Sequence, residues 1–169
     1  MKILALSLLC PLTIFGQAPD YSSLSSSVRT VYTIVKGNLL KSAEKMPEDQ
    51  YGFKPTESVR SFGQIVGHVA DANNNMCAAS LGIANPNPGI EKSKTTKADL
   101  VAALKAAMEL CDKAYDITDT QATEKIKFRN SERVRAGHLH YNAFHSNLHY
   151  GNLVTYLRLK NITPPSSER

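Results

Sequence analysis

The stretch GHLHYNAFHSNLHYGNLVTYLRLK, residues 137–160, holds four of the five histidines in the chain. At about 100° per residue, His145 and His149 stand about 40° apart on one face of a helix. Asn152, Leu153 and Tyr156 continue the same stripe. Two imidazoles one turn apart can point at one ion without bending the backbone, so this i, i+4 pair is a candidate for two metal ligands. His138 shares the stripe, but two turns, about 10 Å of rise, separate it from His145, and one ion cannot easily bind both. His140 points away and is expected at the surface. The third ligand must then come from another element, and His68 is the better candidate. Three imidazoles with further positions open to water are the arrangement used by catalytic zinc and other divalent ions. Spacing alone leaves a second reading open, in which these histidines are surface or hydrogen-bonded residues and no ion binds.

Familiar chemistries can be tested on the letters. The pair reads HSNLH and not HExxH, so the general-base glutamate of a zinc metalloprotease is absent. No Glu-x-x-His occurs, which argues against a ferritin-like di-iron bundle. A Gly-rich phosphate loop, a Gly-x-Ser-x-Gly elbow and a CxxC pair are also missing. Asn152 and Tyr156 could orient a ligand from behind, or simply pack. Asp71, three residues after His68, could receive a hydrogen bond from it, although a solvent-facing carboxylate is the plainer reading. Of Asn73, Asn74 and Asn75, one or two must face solvent, and Arg158 lies on the far side of its helix from His145.

Four amphipathic segments must position these groups. In the first, residues 28–45, Val28, Val31, Tyr32, Val35, Leu39 and Leu40 follow the helical period. A Pro- and Gly-rich connection follows, and Ser61 with Gln64 three residues on forms the capping-box signal for a helix over 62–81, which carries His68 and ends at Gly82. IANPNPGIEKS reads as a loop. Thr96 and Asp99 open a third helix that presents Leu100, Leu104, Met108, Cys111 and Tyr115. Residues 117–135 are polar, and the Ile126/Phe128 alternation is too short to establish a strand. The fourth helix runs from near Val134 or Gly137 to Lys160, with Pro164 and Pro165 beyond it. The class expected is all-α, a four-helix bundle whose long second and third connections permit a crossover.

The 169 residues, 42% hydrophobic, suffice for one domain with its own core. Residues 1–18, MKILALSLLCPLTIFGQA, have one positive charge, an apolar run and small residues at Gly16 and Ala18, the layout of a secretory signal peptide. The run is short for a membrane span and contains Pro11, and Leu9 stands where a lipoprotein signal needs a small residue before Cys10. The expectation is an exported protein, periplasmic or secreted, not held in the membrane after cleavage, with residues 19–169 as the domain. Removing the leader leaves 19 positive and 15 negative residues, a mild +4. Lys125, Lys127, Arg129, Arg133 and Arg135 are interleaved with Glu124 and Glu132, which reads as a solvated loop and helix start and argues against nucleic acid as a partner. Cys77 and Cys111 remain. In an exported protein they could pair, but their place on helix faces favours two buried thiols over a bridge.

KMPEDQYGFKPTESVRSFGQIVGHVAD, with one histidine in the second helix, and HSNLHYGNLVTYLRLKNITPPSS near the C-terminus together resemble the DinB-like family, also called DinB/YfiT-like metalloenzymes. The resemblance spans about residues 28–167. It implies a four-helix bundle with its middle helices joined by a crossover, and a divalent metal, zinc or nickel, on a histidine triad that falls here on His68, His145 and His149. Some members are thiol-dependent transferases. Export points away from a cytosolic thiol co-substrate for this chain. The reading is therefore an exported metal-dependent hydrolase or transferase of a small molecule. Its alternative is a non-catalytic metal-binding or helical interaction module in which the ion is structural or absent. Members often dimerise, so a homodimer is possible.

Overall fold

The computed structural model describes residues 18–168, so the leader expected over residues 1–18 lies outside the described residues but for Ala18. Four long helices form a bundle: α1 (Leu24–Lys45), α2 (Phe62–Leu81), α4 (Lys97–Tyr115) and α6 (Arg135–Leu159). Two short helices, α3 (Ile90–Ser93) and α5 (Asp119–Thr123), lie in the connections. A hairpin of β1 (Lys125–Phe128) and β2 (Ser131–Val134) leads into α6. Helix α2 packs between α4 and α6, and α1 closes the bundle against those two.

The helix starts follow the capping chemistry. Ser61 accepts from Gln64 N while the Gln64 side chain accepts from Ser61 N, so α2 begins at Phe62 as its sequence requires. Thr96 accepts from Asp99 N at the start of α4. At the other end of α2, Gly82 sits at φ 69°, the left-handed geometry that a residue without a Cβ takes without strain. Helix α1 starts earlier than its apolar period, at Leu24, because Ser23 and Ser26 of the serine-rich stretch 22–27 build a capping box.

The 82–96 connection sets the topology. It returns along α2, bringing Ile90 and Glu91 beside Gly67 and Asp71, so α4 starts near the start of α2, with Leu100 against Gly63. Helices α2 and α4 therefore run parallel, and this connection is the crossover. Their parallel course also overturns the expectation of two free thiols. Cys77 and Cys111, each late in its helix, come to a Cα–Cα distance of 5.1 Å and form a disulfide. By chain entropy alone, closing that 34-residue loop contributes about 4 kcal/mol.

The expectation of no strand in 117–135 is likewise corrected. Phe128 pairs with Ser131 across a two-residue turn, and Ile126 and Phe128 turn inward to bury against the bundle. The hairpin hands the chain directly to α6, whose start has no side-chain cap; Arg135 N donates instead to Glu124 O at 2.8 Å. Leu39, Phe62, Leu104, Met108, Leu139, Leu153 and Leu157 fill the core. A buried polar chain crosses it. Asn142 Nδ2 donates to Asn73 Oδ1 at 3.1 Å, Asn73 Nδ2 donates to Ser146 Oγ at 3.0 Å, and the Tyr115 hydroxyl lies 2.6 Å from Leu139 O and 2.8 Å from Asn142 Oδ1. These contacts fix the rotation of α6 against α2 and α4, and hence which face its histidines present.

Candidate metal centre

Antiparallel packing of α6 on α2 brings His68 opposite His145 and His149. The ring centroids of His145 and His149 are 4.6 Å apart, and those of His68 lie 5.3 Å and 4.7 Å from them. One ligand nitrogen from each of the three lies within 4.8 Å of the others. All three rings are half-buried. The i, i+4 spacing supplies the pair, and the bundle supplies the third ring.

His68 is backed by a residue that periodicity did not single out. Its Nδ1 lies 3.1 Å from Glu91 Oε2 on α3. Arg60 Nε donates to the other carboxylate oxygen of Glu91 at 2.8 Å. Burial raises the Glu91 carboxyl, but Arg60 and then His68 outweigh it and hold the group below its usual range. An ionised Glu91 takes a hydrogen bond from His68 Nδ1–H, which fixes the tautomer and leaves the Nε2 lone pair free. Glu91 is itself held in place twice. The Asp71 carboxylate accepts from Ile90 N and Glu91 N at 2.8 and 2.9 Å, and Gly67 lets the α3 backbone approach so closely that a Cβ there would stand 2.8 Å from Glu91 Cα. Asp71 thus neither faces solvent freely nor bonds His68. A glycine directly before His68 was the one sequence signal of this close approach.

The other two imidazoles are kept neutral. Burial, and then the neighbouring His145, His68 and Arg60, pull His149 down to about 4. His145 is lowered by burial, by His68 and by Arg60. At neutral pH both therefore carry free lone pairs, the form that binds a metal. Among the described residues, His145 Nδ1 is buried without a hydrogen-bond partner, while Asn152 Nδ2 stands 3.5 Å from His149 Nδ1. An orphaned buried nitrogen in a three-imidazole cluster fits a borderline divalent cation.

His138 and His140 stay out of the cluster, the first by its distance along the helix axis and the second by its place on the wheel. His138 is fully buried, with Nε2 2.9 Å from Met76 O and its ring 4.7 Å from Phe128, whereas His140 is exposed. Tyr156 is chiefly a packing residue: its hydroxyl donates to Arg60 O at 2.8 Å and its ring meets Phe53 edge-on. Asn73 and Asn74 are buried and Asn75 is exposed. Arg158 is exposed and bonds Ser167, with no carboxylate partner among the described residues.

The cluster opens on two sides. A cleft of about 390 Å³ reaches His68 and His145 between the 82–96 connection and the hairpin. A second, of about 460 Å³, reaches His149 and contains Arg60, Asn152 and Tyr156. Small molecules thus have access to the three rings from solvent.

The family model of the DinB superfamily matches residues 32–153. No curated protein matches the chain. Among solved structures, a DinB-like protein from Bacillus cereus is similar with a TM-score of 0.73 and 14% identity, covering 86% of this chain and 98% of its own. A DinB-like protein from Bacillus subtilis, YjoA, is similar with a TM-score of 0.65 and 22% identity, covering 81% and 93% respectively. At these identities the two structures support the fold alone.

Proposed function

The chain belongs to the DinB superfamily, and from that premise we propose that it is an exported metal-dependent enzyme, a hydrolase or transferase, acting on a small molecule at the His68, His145 and His149 centre. The observation that carries this reading is the convergence of three imidazoles, two neutral by environment and one oriented by a carboxylate, at the floor of open clefts. His68, His145 and His149 would hold the ion, a divalent cation that the family resemblance puts as zinc or nickel. When bound, a divalent ion supplies a Lewis-acid centre that polarises a substrate group or acidifies a nucleophile.

The protein's own residues do the rest. Glu91 keeps the proton on His68 Nδ1, Arg60 keeps Glu91 ionised, and the clefts admit substrate. Among the described His, Cys, Asp and Glu side chains no fourth joins the cluster, which supports coordination positions left for exchangeable ligands. Export is supported by the leader-like N-terminus and by the Cys77–Cys111 disulfide, since such bridges persist in oxidising compartments. Nucleic acid is not proposed as a partner.

The test is ligand exchange on cobalt-substituted protein. Azide or free imidazole added to the Co(II) form is expected to shift its visible bands, because open positions accept them. Bands that ignore both ligands would mean a closed, structural ion that only fastens α2 to α6.

A further inference from the structure

We propose that the hairpin-side cleft is an anion subsite, in which Arg133, assisted by Arg129, binds the carboxylate or phosphate of a small organic substrate whose reactive group lies at the histidine cluster. This rests on the reading of that cluster as a metal-dependent substrate site. Four observations carry it. First, Phe128, Arg129, Arg133 and Tyr141 line the same cleft as His68 and His145. Second, Arg29, Arg60 and Arg135 are each paired with a carboxylate, whereas Arg129 and Arg133 have none within ion-pair distance among the described residues. Arg133 is half-buried, its guanidinium packed 4.9 Å from the Phe128 ring and 5.7 Å from the Tyr141 ring, and only its Nε is engaged, weakly, with Ser131 Oγ at 3.4 Å. Its terminal nitrogens are left for a ligand, and two aromatic faces hold the fork in one plane.

Third, the acid lining this cleft is already committed. Both oxygens of Asp71 accept backbone N–H groups of α3, and it forms no ion pair with either arginine. Fourth, Arg129 occupies the hairpin turn at φ 55°, where glycine would sit without strain. Its guanidinium packs 5.3 Å from the Phe128 ring, on the aromatic side chain that also carries Arg133. The two-residue hairpin turn sets this positive φ, and from it Arg129 lines the cleft beside Arg133. Two planar forks beside aromatic rings suit a carboxylate or phosphate carried on an apolar body, and the volume of about 390 Å³ sets a small-molecule scale.

The experiment titrates phenyl phosphate, benzoate and neutral benzamide into untagged protein by calorimetry, using zinc-loaded wild type and the metal-free His149→Ala variant. Both anions are expected to bind the two forms, about tenfold or more tightly than benzamide, and the stronger anion identifies phosphate or carboxylate as the preferred group. Arg133→Gln should lose about tenfold in anion affinity with zinc content unchanged, and Arg133→Lys should recover part of the loss. Arg129→Gly provides an independent arm, because relief of the positive φ keeps the hairpin intact while anion affinity falls; a merely structural Arg129 would give unchanged binding. Anions binding no better than benzamide, or equally to wild type, Arg133→Gln and Arg129→Gly, would overturn the subsite. If zinc fails to bind wild type but anion affinity still depends on Arg133, the subsite stands and the metal-enzyme reading fails.

Discussion

Gly67→Ala is the substitution whose effect follows most directly from the packing around His68. In a helix interior the change normally stabilises, by about 1 kcal/mol, because alanine has less backbone freedom to lose. Here the added methyl would stand 2.8 Å from Glu91 Cα and 3.1 Å from Glu91 N, with Leu100 Cδ2 at 3.2 Å. Leu100 can adjust its rotamer, but the α3 backbone cannot, so α3 must move away from α2. Overpacking of this kind costs about 1–3 kcal/mol, enough to cancel or exceed the propensity gain. The displacement also withdraws Glu91 from His68 Nδ1, and loss of such a carboxylate partner lowers metal affinity by about 10–100-fold. Gly37→Ala is the control, since a Cβ there meets nothing within 4 Å. Zinc titration against a competing chelator, with thermal melting of each apo protein, reads both quantities. The expected pattern is a stabilised Gly37→Ala with wild-type affinity, and a Gly67→Ala that gains no stability and binds zinc at least tenfold more weakly. A Gly67→Ala protein stabilised like Gly37→Ala and binding zinc like wild type would refute the account of how Glu91 is held.

Three further outcomes are expected. Reduction of the Cys77–Cys111 bridge, or replacement of both cysteines by serine, should lower unfolding free energy by up to about 4 kcal/mol; chemical denaturation with and without reductant measures this, and superimposable curves would exclude a bridge in the protein as isolated. Metal-free protein should lose stability as pH falls from about 6.5, the ordinary histidine value, towards about 4: the folded-state pKa of His149 is lowered to about 4 and those of His138 and His145 are lowered too, so the unfolded chain binds more protons in that window. Urea unfolding of the apo form at pH 7 and pH 5 would contradict this if stability were equal or greater at pH 5. Tyr115→Phe should cost about 1–3 kcal/mol by leaving Leu139 O and Asn142 Oδ1 with fewer donors in the core, and melting near wild type would show that the hydroxyl is dispensable.

The parts of this protein governed by local rules were legible in its letters. Ser61 with Gln64 and Thr96 with Asp99 mark two helix starts because capping is a contact within one turn. The His145/His149 pair was readable for the same reason, and His68 was reached because the other histidines were placed by the wheel or by rise along the axis. What depended on tertiary arrangement was not readable. The disulfide requires α2 and α4 to run parallel, a relation set by the course of the 82–96 connection. The hairpin has four-residue strands, one of them largely exposed, so its alternation is too short to register, and it exists because Ile126 and Phe128 find cover on the bundle. The basic residues of this region read as a solvated loop, yet Arg133 is half-buried between two rings and Arg135 donates to Ser80 O at 2.7 Å. Glu91 escaped notice because its partner is 23 residues away and its helix is a single turn, with Gly67 as the sole hint.

The central claim is that His68, His145 and His149 hold one divalent ion. Elemental analysis of untagged protein after dialysis against a mild chelator, with wild type beside His149→Ala, tests it most directly. The account predicts about one zinc or nickel per chain in the wild type and none in the variant. No bound ion in either, even after divalent metals are restored, would contradict it and leave the three imidazoles as packing residues between α2 and α6.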